Sequence, residues 1–112
     1  MQEQLYQSII DVLNFYKKSE NDILWVGTEN GDYAMLWSDF APIAKEITFW
    51  RVSEGAPEID KDLVVVGEDW WLERRYDQYT EWWEFKAAPK IKVLHPFSFK
   101  KDEYYYQMVK EK

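Results

Sequence analysis

The stretch WWLERRYDQYTEWWEF, residues 70–85, sets two tryptophan pairs on either side of a polar junction. A four-residue loop, Asp77 to Thr80, makes it a hairpin of strands 70–76 and 81–87. Side chains alternate across a pleated strand, so this loop length dictates which rings share a face. Tyr76 then opposes Glu81, Arg74 opposes Trp83, Leu72 opposes Phe85 and Trp70 opposes Ala87. Arg75 opposite Trp82, Glu73 opposite Glu84 and Trp71 opposite Lys86 occupy the other side. Trp70, Leu72, Trp83 and Phe85 form the better core face, which leaves Trp71 and Trp82 wet among charged neighbours. A loop one residue longer or shorter would exchange the faces.

On the wetter face, Arg75 over Trp82 and Lys86 over Trp71 suit cation–π contacts, and the basic groups offset the repulsion of Glu73 by Glu84. Two readings follow. The outward rings either brace their charged neighbours, or they anchor a protein or peptide, since Trp and Arg are favoured where an interface excludes water. The second makes Trp71, Glu73, Arg75, Trp82, Glu84 and Lys86 a candidate protein-binding set.

An earlier stretch, DILWVGTENGDYAMLW (residues 22–37), also reads as a hairpin. Asn30-Gly31 accepts positive φ at both centres of a tight turn. Thr28 then faces Tyr33, Val26 faces Met35 and Leu24 faces Trp37; the opposite side pairs Gly27 with Ala34, Trp25 with Leu36 and Ile23 with Ser38. Both faces are largely apolar, which places these strands inside a sheet. Before them, residues 2–18 predict a helix, with Leu5, Ile9, Val12 and Tyr16 at helical spacing and Lys17 and Lys18 in the last turn. After them, Ser38 or Asp39 suits the cap of a short helical turn in which Pro42 takes an opening position. Residues 46–52 and 63–67 read as strands, and 53–62 as a surface loop. KIKVLHPF (90–97) suggests a strand stopped near Pro96. The tail reads as a helix starting at Asp102; the alternative is a strand through Tyr104, Tyr106 and Met108.

The expected architecture is one small α+β domain over residues 1–112, an antiparallel sheet of about five or six strands with the N-terminal helix packed on it and a C-terminal helix as the preferred reading of the tail. The 112 residues include 7 Trp, 8 Tyr and 6 Phe, an aromatic share of 19%. A short chain with little interior uses such rings to bury area efficiently. The formal charge is −7; residues 1–56 carry −5 and residues 57–112 carry −2, a division that shows no segregated tail. That balance disfavours nucleic acid and anionic lipid as partners. No basic-then-apolar leader opens the chain and no apolar run approaches a membrane span, so a cytoplasmic setting is expected.

Chemistry is sparsely signalled. There is no cysteine, which removes thiol catalysis and disulfides. His95 is the one histidine and has no nucleophile beside it in sequence. Asp60 and Asp62 would point apart in an extended segment, and the acidic loops lack the spacing of a calcium site. No Walker loop, dinucleotide fingerprint or G-x-S-x-G elbow occurs, so no cofactor, metal or catalytic residue is assigned. The leading expectation is a non-enzymatic protein-interaction module, an inhibitor or accessory factor, with an unidentified protein or a second copy as partner. The alternatives are a small hydrolase using Glu73 and Glu84 as paired carboxylates, an acidic mimic of nucleic acid, and a self-associating structural protein.

Overall fold

The late hairpin forms in the expected register. The computed structural model describes residues 2–52 and 56–110. In it β6 (Trp70–Tyr76) and β7 (Glu81–Ala87) pair antiparallel with Trp70 opposite Ala87, Arg74 opposite Trp83 and Tyr76 opposite Glu81. Asp77 N–H donates to Thr80 O at 2.9 Å and closes the four-residue loop.

Three further strands complete an antiparallel five-stranded sheet: β2 (Trp25–Thr28), β3 (Ala34–Met35) and β5 (Leu63–Val66), in the order β3-β2-β5-β6-β7. The run LVVV becomes the central strand. Gly67 serves the β5–β6 bend because the Trp70 ring lies directly against it, where a Cβ would collide. A separate pair joins β1 (Gln2–Gln4) to β4 (Thr48–Trp50). Past β4, Arg51 O accepts the Glu81 N–H at 3.1 Å, so the small pair abuts the start of β7.

Helix α1 spans Leu5–Phe15 and buries Leu5, Ser8, Ile9 and Leu13 along one stripe. The expected helix therefore starts three residues late. Gln2–Gln4 are extended because they pair with β4, and Leu5 N–H finds Ile47 O at 2.8 Å in place of a side-chain cap. The helix ends through Lys17 at φ 60°, with Lys18 N–H returning to Leu13 O at 2.8 Å. This is a left-handed terminus of the kind glycine usually supplies.

The early hairpin keeps only part of its expected pairing. Val26 opposes Met35 and Gly27 opposes Ala34, but β3 stops there. Pairs of Leu24 with Trp37, Trp25 with Leu36 and Ile23 with Ser38 do not form, because α2 already spans Trp37–Lys45. Leu36 O accepts Asp39 and Phe40 N–H groups at 3.0 Å, and Phe40 and Ala44 turn into the core one helical turn apart. Burial of that stripe outweighs extension of an edge strand, so Leu36 stands at the cap position in place of Ser38 or Asp39, and Pro42 lies in the helix interior. The turn differs as well. Only Gly31 has positive φ, at 79°, while the Asn30 side-chain oxygen accepts Asp32 N–H at 3.0 Å.

Both helices lie on the same side of the sheet. Leu5, Ile9, Leu13, Phe40 and Ala44 join Val26, Val65, Trp70, Leu72 and Trp83 in one cluster. Burying each of the Val, Leu, Ile and Phe side chains among them stabilises by about 1.5–3 kcal/mol. Trp83 donates its indole N–H to Ser8 Oγ at 3.0 Å, which satisfies its polar atom inside the core. Tyr6 O–H and Trp37 Nε1–H both donate to Glu20, at 2.8 and 3.0 Å, and so tie α1 to α2.

The core face also holds a buried ion pair. Arg74 Nη2 donates to Glu81 Oε1 at 2.6 Å, with side chains 2% and 3% exposed. The guanidinium carbon sits 5.2 Å from the Phe49 ring centre and 4.6 Å from that of Trp83. Burial presses the guanidinium below its usual pKa, while the hydrogen bond and charge of Glu81 oppose the shift. Glu81 also accepts the N–H groups of Glu58 at 2.8 Å and Ile59 at 3.2 Å, and Ile59 is buried. The described part of the expected surface loop is thus anchored to the core, while Ser53 to Gly55 lie outside the described residues.

The tail departs most from expectation. Residues 88–97 contain no strand, and the tail is a hairpin of β8 (Ser98–Asp102) and β9 (Tyr105–Val109), not a helix. The aromatic run Tyr104 to Tyr106 suits paired strands as well as a helix face, and ladder bonding decides it. Among the described residues no helix is long and apolar enough to cross a membrane.

Candidate functional site

Alternation that buries one side of the β6–β7 ribbon turns Trp71, Glu73, Arg75, Trp82, Glu84 and Lys86 to the side without helices. The same parity continues across the sheet. Val66 pairs with both Trp71 and Trp25, and Val64 pairs with Glu73 and Gly27. One row therefore runs Trp25, Val66, Trp71, Lys86 across four strands. None of Trp25, Val64, Val66 or Trp71 belongs to the helix-covered cluster. Trp25 and Trp71 are half-buried, and Trp82 on the edge strand is 40% exposed. An open hollow of about 270 Å³ lies here, lined by Trp25, Val64, Val66, Gly67, Asp69 and Trp71 among others.

The charged half of this face is a closed network. Trp71 Nε1–H donates to Glu73 Oε2 at 2.6 Å, Arg75 Nη2 to Glu73 Oε1 at 2.6 Å, and Arg75 Nε to Glu84 Oε2 at 2.5 Å. Lys86 Nζ stands 3.5 Å from Glu73. The basic side chains thus reach for carboxylates, and neither expected cation–π contact forms. Neutralisation of Glu73 and Glu84 by their basic neighbours is as the alternation implied.

The Trp71 hydrogen bond holds the Glu73 carboxyl below its usual range; burial opposes this, and the charges of Arg75 and Lys86 add to it. A carboxylate so held is an acceptor at neutral pH and not a proton donor. The shift has a measurable consequence. A depressed folded-state pKa stabilises above the unfolded value, about 4.3, and that contribution is lost as pH falls through the folded pKa. The difference in urea midpoint between wild type and Glu73→Gln is expected to be largest near neutrality and to shrink below about pH 4. A constant difference from neutrality to acid would contradict the linkage.

The remaining sequence candidates are not brought to this face as reactive groups. His95 is exposed in the segment between β7 and β8. Asp60 and Asp62 accept backbone N–H groups, from Asp62 at 2.9 Å and Glu29 at 3.3 Å. Among the described residues no three His, Asp or Glu side chains converge as metal ligands would. Sequence reasoning missed Trp25, Val64 and Val66, whose place beside Trp71 requires the β2-β5-β6 strand order. It also missed the Arg74–Glu81 pair, although both residues carried the core parity. No family model, curated protein or solved structure matches the chain.

Proposed function

We propose that this chain is a non-enzymatic protein-interaction module that docks a partner on the helix-free face of its sheet. The observation that carries this reading is the placement of Trp25, Trp71 and Trp82 on a sheet face to which neither helix contributes a buried side chain. A helix-free face with aromatic anchors and a polar, hydrogen-bonded flank has the anatomy of an interface, with rings to exclude water and charges to set register. The Glu73–Arg75–Glu84 network supports it further by holding the flank in one geometry before binding, which lowers the ordering cost. The hydrolase alternative draws no comparable support, since Glu73 is stabilised as an anion and the face is open.

The test is recovery of binding partners from the native source with wild type and with a Trp71→Ala/Trp82→Ala variant. Saturable recovery that requires the rings, with the variant's thermal unfolding still cooperative, is the expected result. Equal recovery by both proteins, or none by either, would overturn the assignment of this face.

A further inference from the structure

The C-terminal hairpin is an amphipathic element that its own chain leaves uncovered. Phe99 pairs with Met108 and Lys101 with Tyr106, so alternation gathers Phe97, Phe99, Tyr106 and Met108 on one side, with Lys101 at its end 5.4 Å from the Tyr106 ring centre. These rings touch one another edge-on, Phe97 to Phe99 at 5.7 Å and Phe99 to Tyr106 at 6.4 Å, and none belongs to the buried cluster of the body. Phe97, Phe99 and Tyr106 are 54%, 60% and 61% exposed. The hairpin is rooted by Ala88 N–H on Asp69 O and by the Lys90–Asp69 ion pair, and the chain then leaves the body. The radius of gyration is 18.4 Å, against about 13 Å for a globule of this length. A two-stranded hairpin is marginal in water without a surface to pack on.

Charge says what kind of surface suits it. Residues 1–87 carry 18 acidic and 8 basic side chains, a net −10, whereas residues 88–112 carry 3 acidic and 6 basic, a net +3. The arm is basic and its body strongly acidic. Each chain thus offers one basic arm with a largely apolar open side and one aromatic sheet face to which neither helix contributes, whose hollow is also lined by Glu29, Glu68 and Asp69.

We infer that two copies of this chain exchange arms, each laying the Phe97/Phe99/Tyr106/Met108 side of its hairpin on the partner's Trp25/Trp71 face. Two such contacts related by a two-fold axis satisfy both arms and both faces and close the assembly. Face-to-face packing about 10 Å apart would set the rings over Val64 and Val66, with the lysines at the acidic rim. The acceptor is the face assigned above to partner docking, so this inference rests on that reading and names its occupant.

Sedimentation equilibrium of the full chain, from low to high micromolar, tests it. The wild type is expected to dimerise reversibly, less tightly as salt rises. Phe97→Ser/Phe99→Ser and, separately, Trp71→Ala/Trp82→Ala should each weaken the dimer by about tenfold or more. At dilutions where both are monomeric, the arm variant should keep the wild-type urea midpoint, since its rings are unburied in the single chain. Because the chain lacks cysteine, Lys101→Cys and Lys86→Cys proteins can be mixed, and oxidation should cross-link unlike copies. A monomeric wild type throughout would overturn arm exchange while leaving the docking face to the recovery experiment. A dimer indifferent to the arm variant overturns it as well. A dimer that needs the arm rings but neither Trp71 nor Trp82 overturns the assigned acceptor.

Discussion

Replacing Glu81 by alanine is expected to cost about 3–5 kcal/mol, the usual penalty for stranding one partner of a buried ion pair. The fold as a whole is worth only about 5–15 kcal/mol, so the variant should sit near the edge of folding. Glu81 is costly to lose because it serves three donors at once: Arg74 Nη2 at 2.6 Å and the N–H groups of Glu58 and Ile59. Without it, the guanidinium between Phe49 and Trp83 keeps its charge with no anion in contact. Two loop amides lose their acceptor in the same step. Chemical denaturation followed by tryptophan fluorescence reads the effect. An Arg74→Met/Glu81→Gln double variant should regain part of the loss, because no net charge is left buried and the glutamine oxygen still accepts one of the two amides. A cost under about 1 kcal/mol for Glu81→Ala would mean that the pair behaves as a surface ion pair and that the region is wet.

The second large effect contrasts neighbours in sequence. Trp83→Ala should destabilise by about 3–5 kcal/mol, as expected for removing a large ring from a packed core. Trp83 is 7% exposed, its indole N–H is bonded to Ser8, and its face supports Arg74. Trp82→Ala, one residue away and 40% exposed, should cost about 1 kcal/mol or less. Equal penalties at the two positions would deny that adjacent rings point to opposite sides of the sheet.

Legibility followed the range of the forces involved. The 70–87 register could be read from local alternation because a polar four-residue loop lay between two aromatic runs, and one parity was plainly more apolar. The N-terminal helix was equally plain from Leu5, Ile9 and Val12 at helical spacing, although Tyr16, read into the same stripe, falls at its C-terminal cap. What failed depended on partners remote in sequence. Gln2–Gln4 are extended because Thr48–Trp50 lie beside them. Residues 36 and 37 leave their strand because Phe40 and Ala44 have a core to enter. The tail is β because its two halves pair with each other, and Tyr104 to Tyr106 would have served a helix as well. On the candidate surface, the residues from the hairpin were legible, whereas Trp25 joined them only through the strand order. Charge segregation was hidden by dividing the chain at its midpoint; dividing it at the root of the arm exposes it.

The central claim is that the sheet has one covered side and one open side, and that Trp70 and Trp83 lie on the first while Trp82 lies on the second. Fluorotryptophan labelling of all seven indoles tests this directly, with resonances assigned by single Trp→Phe variants and compared in light and heavy water. At dilutions where the chain is monomeric, Trp82 should show a clear solvent isotope shift, while Trp70 and Trp83 show almost none. Shifts of similar size at Trp82 and Trp83, or a protected Trp82, would contradict the account.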